Sequence, residues 1–195
     1  APHRLLFLAG AAAVLLSMGW WAATLVAQRW PAFAMPAAPS PAGWAHAIAM
    51  QYQVLSLFVF GFLLTVMPRW TNTPSYSARH YLPASGTLLV GYLVTLAGLF
   101  GSAGTFAIGI ALTLCGWLVG LALLAATVWR DAGRTYHAIS CWCALAFGGI
   151  GLALYALFLR TGDARLAFAA IKIGTFGLLL PVYLTVCHRM VPFFS

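Results

Sequence analysis

The chain has 195 residues, 63% of them hydrophobic and only 6% charged, with ten Lys and Arg against two Asp and Glu. A water-soluble domain needs a charged exterior that this composition cannot supply, so the chain reads as membrane-embedded. The net charge of +8 is spread over the connections rather than gathered in a stripe, which excludes a nucleic-acid surface, and two acids offer no carboxylate pair within a span for acid–base work.

Six apolar runs, each near the length that crosses a hydrocarbon core of about 30 Å, predict an all-α, polytopic integral-membrane helix bundle of six transmembrane helices, one unit over residues 1–195. The first span is predicted over 5–27, too long for the apolar part of a cleaved signal, and ends near Trp20, Trp21, Arg29 and Trp30, an interfacial patch. Residues 30–43 hold four prolines and predict an irregular surface connection. The second span, 44–67, stops at Pro68, with Arg69 and Trp70 anchoring its end. Spans three and four, 84–100 and 105–129, are joined by a tight turn at Gly101 to Gly104. Gly116 and Gly120 form a small-xxx-small pair for close helix packing. Span five takes 138–159 and span six 166–187, the latter loosened near Pro181. Arg4, Arg69, Arg79, Arg130, Arg134 and Arg189 fall at one end, against Arg29, Arg160 and Arg165 at the other, which predicts a cytoplasmic amino terminus.

Function is sought in the polar residues at depth. Offsets of four and three residues put His46, Met50 and Gln53 on one face of the second span, a stripe that offers an imidazole and a soft thioether to haem or copper. The competing reading is an interfacial histidine beside a packing methionine. Lys172 lies at comparable depth in span six and either snorkels to the interface or meets an anion such as a haem propionate. His3 and Arg4, His137, and the run Cys187, His188, Arg189 and Met190 all fall at the other end, where they can converge. Paired histidines from different helices clamp b-type haem, although histidines at helix ends are commonly interfacial. Cys141 and Cys143 are two residues apart, so on a helix their sulfurs point opposite ways and share no metal.

Three segments carry a resemblance to the NnrS family of membrane proteins. They are Pro2-His3-Arg4; His46-Ala47 through Met50 with Gly61-Phe62-Leu63-Leu64-Thr65 and Pro68-Arg69-Trp70-Thr71; and His188-Arg189-Met190-Val191-Pro192-Phe193-Phe194-Ser195. The resemblance implies an integral-membrane haem protein, with copper also associated, acting in nitric oxide metabolism or the nitrosative stress response at the bacterial cytoplasmic membrane. With haem b, the lipid bilayer and nitric oxide as the expected partners, depth and residue type make His46, His188 and His3 the candidate metal ligands and His46, Met50, Lys172 and Arg4 the candidate cofactor contacts. Many members carry a second histidine and an acid after the first on span two, where this chain has Ile48 and Ala49. The resemblance also implies further spans and histidines supplied by a carboxy-terminal half or a second subunit.

Two other functions stay open at this point. Six spans also fit half of a multi-span transporter, though no paired intramembrane carboxylates and no convincing inverted repeat support one. The third reading is a cofactor-free assembly subunit of a larger membrane complex.

Overall fold

The structure, a computed structural model, describes residues 2–30, 32–131 and 135–194, with side chains described through Val191. Arg134 and Ser195, used in the reading of charge and motif above, lie outside the described residues, as do the side chains of Pro192, Phe193 and Phe194. The described residues form helices and no strand: α1 (Pro2–Arg29), α2 (Ala42–Ile48), α3 (Leu55–Trp70), α4 (Ala78–Gly98), α5 (Ala103–Arg130), α6 (Tyr136–Thr161), α7 (Ala164–Lys172) and α8 (Leu180–Phe194). Two π-helical segments, Ala49–Val54 and Ile173–Leu179, join α2 to α3 and α7 to α8. Six helical stretches are therefore long and apolar enough to cross a membrane, as the hydropathy predicts.

The ends of these helices differ from the expected ones for local reasons. The second span runs past Pro68 to Trp70, because a proline in a final turn leaves only one carbonyl unpaired. Thr71 then closes that turn, its hydroxyl donating to the Met67 carbonyl at 3.0 Å. The third span starts at Ala78 rather than 84, its first turn exposing Arg79 and His80 beyond the apolar run. Near Pro181 the expected loosening takes the form of the second π segment, which widens the helix just before a nitrogen that has no hydrogen to give.

The second span is the axis of the bundle, with 61% of its most apolar window buried against 28–39% for the other five. Spans one, three, four, five and six form a horseshoe around it, each packed on the next in the order 1, 3, 4, 5, 6. Small residues set the closest approaches, as expected where lipid offers no hydrophobic drive between helices. A methyl placed on Gly91 of α4 would sit 2.6 Å from the Thr113 backbone nitrogen of α5, and Gly120 of α5 faces the ring of Phe60 on α3. Gly116, the other half of the expected small-residue pair, meets Thr87 and Leu88 of α4. Beyond the spans, Tyr76 ties the connection before α4 to α5 by donating to the Leu123 carbonyl at 2.7 Å and pairing with the Thr127 hydroxyl. Burial pushes its phenol above the usual value.

At the core of the bundle the two π segments pack against each other, and side chains complete the backbone of the first. The i→i+5 pattern displaces carbonyls from their usual partners, and these are met by side chains. Ser56 donates to the Gln51 carbonyl at 3.0 Å, and the Trp117 indole to the Tyr52 carbonyl at 3.0 Å. Across the pair, the Tyr52 hydroxyl donates to the Ala170 carbonyl and the Gln51 amide to Thr175 at 2.9 Å, while Gly174 leaves room for both side chains.

Candidate functional site

The π segment on span two breaks up the expected stripe. With more residues per turn than an α-helix, it carries Gln53 away from the face that holds His46. Gln53 is buried, its amide donating to Thr95 and Thr113 at 2.8 Å each. Both hydroxyls give their own hydrogens to the carbonyls of Gly91 and Gly109, so they can only accept from Gln53. This polar node joins spans two, three and four. Met50 packs, partly buried, against the apolar core.

His46 sits at one end of the bundle. Its ring lies flat on Trp21, 4.5 Å between centroids and 11° between planes, and its Nδ1 is buried with no hydrogen-bond partner. None of the described cavities is lined by it. Lys172 is exposed near the same end, with its ammonium 5.8 Å from the Phe176 ring centroid.

The opposite end gathers the other candidates. His3 opens α1 and leans on Thr65 of α3, with its backbone nitrogen 3.2 Å and its Nδ1 3.3 Å from the Thr65 hydroxyl oxygen. Thr65 spends its own hydrogen on the Gly61 carbonyl at 2.8 Å, so the hydroxyl accepts and His3 carries its proton on Nδ1. That leaves Nε2 with its lone pair, which is how ligand histidines are oriented by a second partner. Arg4, next to it, is exposed.

His188 on α8 and His137 on α6 stack with ring centroids 5.3 Å apart, His137 Nε2 lying 3.1 Å from His188 Nδ1. The Arg189 guanidinium covers the Trp70 ring at 4.8 Å and reaches His137 Nδ1 at 3.4 Å. These groups, with Arg69 and Met190, line a cavity of about 640 Å³. A second, apolar cavity of about 640 Å³ lies between α3 and α8, with Phe58 and Phe62 on α3, Val182 and Val186 on α8, and Phe7 of α1. Phe62 and Val66, like Val186 and Met190, are four residues apart and share a helix face, so the two cavities lie along one cleft where the horseshoe stands open between spans one and six.

The structure thus brings His3, His137, His188, Arg69 and Arg189 to one end, as the sequence anticipated for the histidines, and leaves His46, Met50 and Lys172 apart from them. About 19 residues, close to 28 Å of helix, separate the levels of His46 and Thr65. Sequence reasoning treated Arg69 only as an anchor and missed Thr65, although the GFLLT segment contains it. Cys141 is buried and Cys143 exposed, on opposite sides of α6 as expected.

Comparison with curated proteins and with solved structures gives no match. A family model described as NnrS protein matches residues 1–195. The chain belongs to the NnrS protein family, and its six apolar spans make it a multi-pass membrane protein of that family.

Proposed function

We propose that this protein binds b-type haem in the cleft between spans two and six and acts in the handling of nitric oxide at a bacterial cytoplasmic membrane, with the amino-terminal end on the cytoplasmic side. The observation that carries the reading is the gathering of three chemistries at one end of the bundle: an imidazole oriented by Thr65, two guanidiniums, and an apolar cleft of the size that ligand pockets take, lined on the α1 side by Phe7, one turn on from His3.

The residues fit the group. His3, whose tautomer Thr65 sets, would offer Nε2 to the iron from beside Phe7, the α1 residue that lines the cleft. Arg69 and Arg189 supply cations for propionates, and the aromatic and branched walls of the cleft exclude water from a flat apolar ring. The chemistry supplied by a bound haem would be an iron able to bind nitric oxide. Copper has weaker support. No group of three or more His, Cys, Asp or Glu gathers among the described residues, and the guanidiniums beside His137 and His188 oppose a bare cation.

Haem content of detergent-purified protein, measured as the reduced pyridine haemochrome, tests the reading. It expects stoichiometric haem whose ferrous spectrum shifts on addition of nitric oxide. Protein that is folded, saturated with added haem and yet spectrally blank would leave transport or assembly as the function.

A further inference from the structure

The order of donors and acceptors at the His137–His188 pair assigns it a task other than metal ligation. A guanidinium has N–H groups and no lone pair, so His137 Nδ1, 3.4 Å from Arg189 Nη1, is an acceptor. A neutral His137 then carries its proton on Nε2 and donates it to His188 Nδ1 at 3.1 Å. His188 in turn holds its own proton on Nε2. The chain Arg189, His137, His188 therefore runs in one direction and ends in an N–H.

Neither Asp among the described residues is there to receive it. Asp131 accepts from the Thr135 backbone at 2.7 Å, Asp163 caps α7 at the far end of the bundle, and neither lines the cavity that holds Arg69, Arg189, His137 and His188. All the ionic side chains of that cavity are donors, and its two permanent charges are positive. We infer that His188 is a hydrogen-bond donor to an anionic oxygen group, with Arg69 and Arg189 as its partners and His137 as the positioning residue that fixes its tautomer. On the haem reading, on which this assignment of ligand rests, that group is a propionate carboxylate. His188 is then not the iron ligand that its place in the family-like carboxy-terminal segment implied.

Two measurements test this. Nitrogen-15 NMR of histidine-labelled protein in detergent, with His137→Phe and His188→Phe to assign the rings, should show His188 protonated at Nε2 and unprotonated at Nδ1. Arg189→Met should release that order and populate both tautomers. A wild-type His188 protonated at Nδ1 overturns the inference. Haem and its dimethyl ester, which lacks free carboxylates, then separate the roles. The His188→Phe variant should weaken haem about tenfold or more and leave the ester within about twofold, since a charge-assisted hydrogen bond is lost only for the acid. Equal loss of both porphyrins would make His188 an iron ligand and refute the donor role, with His188→Leu as the second variant should the ring perturb folding. Wild-type protein that binds neither porphyrin but shows the expected tautomers would remove the haem reading while supporting the donor assignment.

Discussion

The two ends of the bundle use the same residue types and reach opposite chemistry. At one, His46 lies against Trp21 with a buried, unpartnered nitrogen, and Lys172 rests on Phe176. At the other, His3 and His188 are each oriented by a hydrogen-bond partner, and Arg69 and Arg189 border a cleft. A histidine at membrane depth is thus uninformative by itself. What separates the imidazoles of His3 and His46 is the second partner that fixes the proton of His3 and the lack of one at His46 Nδ1.

The comparison can be broken most forcefully through charge. Replacing Arg69 and Arg189 together by Gln should lower haem affinity by about 100-fold or more, since two charge-assisted contacts worth about 1.5–3 kcal/mol each are lost. The matched pair Arg29→Gln and Lys172→Gln at the other end should leave it unchanged, and equal losses in a haem titration would show that the two ends are not distinct. Next in size is Thr65→Val, which removes the acceptor that orients His3 and should cost about tenfold in haem affinity. Isothermal titration that finds no loss would dissociate His3 from the site. The smallest effect is expected from Trp21→Ala. It strips the stacked ring from His46 and should destabilise the bundle by about 1 kcal/mol in reversible denaturation while haem binding is retained. A loss of haem there would make His46 part of the site after all.

Much of the fold was legible because hydropathy reports span length directly, and the six helices match six apolar runs. The π segments were not. Whether Gln51, Tyr52 and Gln53 adopt an i→i+5 pattern is decided by Trp117, Ser56 and the facing turn at Ala170 and Gly174, which no local propensity encodes. The stripe of His46, Met50 and Gln53 assumed an ideal helix, and the wider turns part Gln53 from the other two. For the site, the placing of His3, His137 and His188 at one end of the bundle followed from alternating spans alone. Their proton positions did not, because these depend on Thr65 and Arg189, whose hydrogen-bond directions emerge only once the side chains are placed.

On the proposed function, a haem would bind at the end where His3 meets Thr65, and not at the end where His46 meets Trp21. Pyridine haemochrome quantification of His3→Ala and His46→Ala, purified alongside the wild-type protein and saturated with haem, tests it most directly. The account predicts that His3→Ala loses most of its haem and its axial-ligand spectrum while His46→Ala keeps both. Retention in His3→Ala with loss in His46→Ala would contradict it.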